Sequence, residues 1–207
     1  MESRRSIKSL GVDIGKSTDP PAAVELEQLA GAPGYRVTNC KQLPLGLKYP
    51  ALVEYLAPIL RTVDIAMIDA VGVGAVVIDY ARQDAANVWG VVTNGEKNPT
   101  PQLEAFEQML YIPKWRMVEL LVADVDHGRL SVSRAGDYRA LVAELGALQR
   151  RQSGRSTVVK YEAKSGAHDD LAMALAMARL GFKLERLSKT FQQDPEKWTS
   201  KRYCQLY

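Results

Sequence analysis

Residues 64–74 read Asp64-Ile-Ala-Met-Ile-Asp69-Ala-Val-Gly72-Val-Gly74. A short apolar run bounded by turn residues is the pattern of a buried strand. This one ends in a bare carboxylate, Asp69, and opens into a glycine-rich loop. Val73–Arg82 then predicts a helix. Strand, glycine loop and helix together make the repeating unit of an α/β sheet.

The same reading extends toward the N-terminus. Ile7–Ile14 is apolar and β-branched, carries Asp13 near its end, and runs into Gly15. Ala22–Leu29 and Tyr35–Gln42 read as two further strands, joined through the turn residues Gly31-Ala-Pro-Gly34. Leu52, Val53, Leu56, Ile59 and Leu60 recur at helical spacing, which predicts a helix over Pro50–Thr62 that Pro58 should kink or shorten. Toward the C-terminus, Asn87–Thr93 predicts a strand and Asn94–Thr100 a loop. Lys114–Asp126 predicts a helix stopped at Gly128, and Arg129–Ser133 a short strand. Asp137–Arg151 predicts a helix, Thr157–Tyr161 a strand, and Ala167–Arg186 the last helix. The expected fold is an α/β mixed sheet with antiparallel N-terminal strands, flanked by helices. Residues 1–187 form one domain and 188–207 a C-terminal tail.

Composition narrows the function classes. The 207 residues are 46 % hydrophobic and 25 % charged, with a net charge of +3. That is the profile of a folded globular domain, not of a disordered, collagenous or disulfide-rich chain. No apolar run reaches the roughly 18 residues of a membrane span. The N-terminus lacks the apolar segment of a secretory signal. A cytoplasmic protein with no membrane partner is expected. Cys40 and Cys204 form no metal or redox motif and read as reduced thiols. The charge is unevenly spread. Arg150, Arg151, Arg155, Lys160 and Lys164 face a single acid, Glu162, between residues 149 and 164. Such a stretch is either solvated surface or a patch that tracks phosphates.

The acidic positions carry the chemistry. Asp13 and Asp69 close two strands, and Asp169 and Asp170 open the last helix just after Gly166. Ligands of open α/β sheets bind at such strand ends, and an unpaired buried carboxylate is costly. Carboxylates converging there suit a hard divalent cation. Two such ions about 3.5–4 Å apart can bind the attacking and leaving oxygens of a phosphodiester. Each residue also has a local alternative. Asp13 and Asp69 can form turns with the glycines that follow, and Asp169 or Asp170 can cap the last helix. Gly15-Lys16-Ser17 is no Walker A motif, because Gly11 lies too close. His127, beside Gly128 at a helix C-terminus, reads as structural.

Four stretches together resemble the nuclease domain of the large terminase subunit of tailed phages and prophages, an RNase H-like fold. They are Gly11-Val-Asp-Ile-Gly15 with Asp19-Pro20, Ile68–Gly74, Ile112–Leu148 ending near Ala143-Glu-Leu145, and Gly166-Ala-His-Asp-Asp-Leu-Ala-Met-Ala-Leu175. The resemblance implies a metal-dependent endonuclease that cuts double-stranded DNA to start and end genome packaging. It implies that Asp13, Asp69 and Asp169 are the catalytic, metal-binding acids, that Asp170 assists, and that the cofactor is two Mg²⁺ or Mn²⁺ ions bridged by Asp13. Some relatives place a His three residues before the last acid. This chain has Gly166 there, so that role does not pass to His168. Double-stranded DNA is the implied partner, held by Lys16 at the scissile phosphate and by Arg150, Arg151, Arg155 and Lys160 along the backbone. A terminase ATPase domain, the small terminase subunit and the portal are the further partners implied. The alternatives are a junction resolvase-like nuclease on the same fold, or a non-catalytic DNA-binding module of the packaging complex.

Overall fold

Strands β1 (Ile7–Asp13), β2 (Ala22–Gln28) and β3 (Tyr35–Gln42) form an antiparallel meander, with Asp13 opposite Ala22 and Ala22 opposite Gln42. These are the three N-terminal strands expected. The computed structural model describes residues 5–15, 19–31, 33–72, 74–85, 87–94, 102–104, 107–152, 159–163 and 168–193. After helix α1 (Tyr49–Leu60), β4 (Ile65–Asp69) returns to pair in parallel with β1. Helix α2 (Gly74–Asp84) and β5 (Val88–Asn94) add the next parallel unit. Then follow β6 (Gln102–Glu104), β7 (Met109–Pro113), helix α3 (Lys114–Asp126), β8 (Leu130–Val132) and helix α4 (Tyr138–Ala147). A hairpin of β9 (Leu148–Gln152) and β10 (Val159–Ala163) leads to the long helix α5 (Asp170–Gln193). Among the described residues the main sheet has eight strands, in the order β6-β7-β5-β4-β1-β2-β3-β8.

Period-2 alternation sorts the central strands onto two cores. Leu10 and Val12 of β1, with Ala66 and Ile68 of β4, pack with Leu52 and Leu56 of α1 and Val77 of α2. Ile65 and Met67 point the other way, into a core with Leu171, Leu175 and Phe182 of α5 and Val118 of α3. On that same face β1 presents Ser9 and Gly11, where α5 crosses closely. A Cβ on Gly11 would collide with the Ala174 carbonyl. The small residues of α5, Ala174 and Ala178, allow this approach. The helix runs antiparallel to β1, because Ala174 and Ala178 meet Gly11 while Gly181 meets Ser9. Its N-terminus therefore lies at the end of β1 that carries Asp13.

A buried ionic cluster ties α3 to α5. Asp124 is 1 % exposed and accepts hydrogen bonds from Arg129 at 2.9 Å and from the buried Arg179. The Arg179 guanidinium also lies 4.3 Å over the ring of Tyr35.

Four sequence expectations change. The helix expected over Asp137–Arg151 ends at Ala147, and Leu148–Gln152 is strand β9. Leu148 continues the spacing of Leu141 and Leu145, so periodicity alone does not reveal the switch. The strand expected over Thr157–Tyr161 is β10, at Val159–Ala163. Strands β6 and β7 were not expected at all, being short and separated by only four residues, of which Glu107 and Gln108 form a turn. The last helix continues past Arg186 to Gln193. Pro58 sits inside α1, which ends two residues later at Leu60. Among the described residues no helix is long and apolar enough to cross a membrane.

Candidate active site

The pairing of β1 with β4 sets Val12 opposite Ile68, so Asp13 and Asp69 finish adjacent parallel strands side by side. By alternation both carboxylates belong to the α5 face. Each ends its strand in the same local way. Asp13 Oδ1 accepts the Gly15 N–H at 3.0 Å, and Asp69 Oδ1 accepts the Val71 N–H at 3.0 Å. The turn-forming role open to these residues in the sequence is therefore real. Gly15 has φ +68°, and a Cβ there would press on the Asp19 carbonyl and Pro20. Glycine thus lets the chain fold back so that Asp19 returns toward the strand end.

The N-terminus of α5 brings the other acids. Asp169 precedes the helix and accepts Met173 N–H on its backbone oxygen at 2.8 Å. Its carboxylate is ion-paired with Lys114 Nζ at 2.7 Å, from the start of α3. Asp170 is different. It is 6 % exposed, and its Oδ2 is buried with no hydrogen-bond partner. His168 Nδ1 lies 3.7 Å from that oxygen and 3.8 Å from Asp19 Oδ1. Asp19, His168 and Asp170 offer ligand atoms that all lie within 4.8 Å of one another.

The electrostatics report crowding of like charge. Burial pushes the Asp13 carboxyl up to about 7, against the Gly15 hydrogen bond, with Asp69, Asp170 and Asp169 adding repulsion. Burial raises Asp170 to about 6, helped by Asp19 and Asp169 and opposed by His168 and Lys114. Carboxylates in this state bind protons when no cation is present and release them to a divalent ion. A buried orphan carboxylate oxygen among oxygen donors and one imidazole is the donor set that Mg²⁺ or Mn²⁺ accepts. The residues present fit such an ion.

The fold can now be compared with known proteins. No family model and no curated protein matches this sequence. Solved structures do match. The human cytomegalovirus terminase nuclease domain, Mn soaked and inhibitor bound, superposes with a TM-score of 0.55 at 13 % identity, over 86 % of this chain and 84 % of that one. The large terminase nuclease domain of bacteriophage SPP1, with bound Mn, gives 0.50 at 12 % identity, over 91 % and 86 %. This chain has the terminase nuclease fold. The α/β mixed sheet with antiparallel N-terminal strands, expected as RNase H-like, is the sheet of these domains.

Within the terminase nuclease fold, the sequence-predicted acids Asp13, Asp69, Asp169 and Asp170 converge at one end of the sheet. Arg150 is exposed on β9, and Arg151 and Lys160 face each other in the β9–β10 register. Lys16 and Arg155 lie outside the described residues, as does the tail beyond Gln193. Sequence reasoning did not single out Asp19 and Lys114 for the site. Asp19 stood in the pattern only as part of a hairpin before Pro20, and Lys114 only as the start of a helix. Glu144 was also missed. It is 7 % exposed on α4, its Oε2 accepts the Ala172 N–H at 3.0 Å, and burial pushes its carboxyl up to about 7. Its signal was a charge one residue before Leu145, within the apolar stripe of α4.

Proposed function

We propose that this chain is a metal-dependent endonuclease that hydrolyses double-stranded DNA, acting in genome packaging as a terminase nuclease. The observation that carries the reading is the buried Asp170 oxygen without a hydrogen-bond partner among the described residues, set beside Asp13 and Asp69 on a terminase nuclease fold. Asp13, Asp69 and Asp170 hold the metal, with Asp19 and His168 at its margin. Mg²⁺ or Mn²⁺ ions held there would supply an activated water and stabilise the leaving oxygen. The protein's own part is placement. The Gly15 and Val71 amides orient the Asp13 and Asp69 carboxylates. Lys114 neutralises Asp169, which tempers repulsion across the acid cluster and leaves Asp170 as the ligand. Lys16, Arg150, Arg151, Arg155 and Lys160 hold the DNA backbone without reading sequence. A terminase ATPase domain, the small subunit and the portal are the partners this role requires.

The test is plasmid cleavage. Supercoiled DNA is incubated with the chain in Mn²⁺, Mg²⁺ or EDTA, beside Asp13→Ala, Asp170→Asn and Asp169→Asn. We expect metal-dependent nicking and linearisation that Asp13→Ala and Asp170→Asn abolish, while Asp169→Asn retains at least a tenth of the rate. Full cleavage by Asp13→Ala overturns the proposal. Loss in Asp169→Asn with retention in Asp170→Asn reverses the assignment of the two neighbouring acids.

A further inference from the structure

We infer that Glu144 is a positioning residue that holds the metal-binding end of α5, a role that rests on the reading of Asp170 as a ligand. The first amides of a helix have no acceptor within their own helix. The residue just before the helix ordinarily supplies one. In α5 that residue is Asp169, and its carboxylate is taken by Lys114. The acceptor comes instead from another element. Glu144 of α4 reaches across and receives the Ala172 N–H at 3.0 Å, with the Leu171 N–H directed at the same carboxylate.

The reach is braced. Glu144 Oε1 accepts Gln42 Nε2 at 3.2 Å, and the backbone N–H of Gln42 is held by Asp137 Oδ2 at 2.8 Å. A line of hydrogen bonds therefore runs from the end of β3 through Glu144 to the two residues that follow Asp170. The cap faces a neighbourhood that is already acidic, since Asp170 and Asp169 both repel its charge. A helix end needing only burial would be served by an apolar residue here. The carboxylate gives a directed acceptor instead, and direction is what a ligand side chain one residue away requires. This division of labour keeps the carboxylate of Asp170 out of capping and available to the site. It also gives a role to the Ala143-Glu-Leu145 segment.

The experiment measures Mn²⁺ affinity of the full chain by titration calorimetry and electron paramagnetic resonance, well below each variant's unfolding temperature. Glu144→Ala is expected to weaken Mn²⁺ binding about 10–100-fold, the usual loss when the support of a metal ligand is removed. Glu144→Gln is expected to keep most of the affinity, because its amide oxygen can accept from Ala172 while Gln42 turns its own amide. Hydrogen exchange of the 168–175 segment, measured without metal, is expected to quicken in Glu144→Ala and not in Glu144→Gln. If Glu144→Ala does not fold, Gln42→Ala takes its place and is expected to weaken Mn²⁺ binding and quicken the same exchange to a smaller extent. A folded Glu144→Ala protein that binds Mn²⁺ as the wild type does overturns the inference, and so does equal loss in Glu144→Gln. Wild-type protein that binds no Mn²⁺ overturns the metal site itself, and that result is distinct from either.

Discussion

Replacing Asp13 with Asn should make the metal-free protein more stable in alkali while removing its response to metal. The Asp13 carboxyl is raised from an ordinary 3.8 to about 7 by burial and by its acidic neighbours. A carboxyl raised on folding supports the native state while protonated. Its support is full below the unfolded value, near 4, and is lost as pH rises through about 7. Asn carries no such titration. At about 1.4 kcal/mol per pH unit, the two units between pH 5 and 7 amount to roughly 2.7 kcal/mol. Water at the open edge of the site trims this to roughly 1.5–2.5 kcal/mol. For a chain of this size that corresponds to about 3–8 °C in Tm. In EDTA, thermal unfolding followed by circular dichroism should therefore show Tm of Asp13→Asn rising relative to wild type by that amount between pH 5 and pH 8.5. Added Mn²⁺ should reverse the order, because only the wild type gains binding energy. At a hundred times its Kd, the ion adds about 2.7 kcal/mol to the wild type. A Tm difference that stays constant across this pH range refutes the reasoning, because Asp13 would then not be titrating inside the acid cluster.

Two further outcomes concern the scaffold. Asp124→Ala leaves the buried Arg179 without its carboxylate and should cost about 3–5 kcal/mol, read as a lower urea midpoint. Arg179 is nine residues along α5 from Asp170, about 13 Å, so cleavage by the protein that remains folded should be unchanged. Gly11→Ala drives a methyl into the Ala174 carbonyl where β1 meets α5. It should cost about 3 kcal/mol or more and lower both the urea midpoint and the yield of folded protein.

The parts of this molecule that sequence reveals are those fixed by local pattern. The runs Ile7–Ile14 and Asp64–Asp69 declare themselves as buried strands because their apolar residues stop at a carboxylate followed by glycine. Their roles as neighbours follow from one register, Val12 opposite Ile68. Asp170 and Asp169 are distinguishable only in three dimensions. A helix start allows either to face the sheet, and it is Lys114, 55 residues away, that claims Asp169. The role of Glu144 could not be read for the same reason, since its partners Gln42 and Ala172 come from distant segments. The switch from α4 to β9 at Leu148 escapes detection because Leu141, Leu145 and Leu148 satisfy the helical spacing on their own.

The eight-stranded sheet ends on both sides in strands of only three residues, β6 and β8. A sheet edge is a row of unpaired amides and carbonyls that invites another chain to add a strand. Here the longest strands, β1, β2, β3 and β5, are all interior, and each rim offers barely one register of pairing. The domain can therefore lie against copies of itself without its sheet propagating from one copy into the next. Contacts between copies would then have to be made by helices and loops.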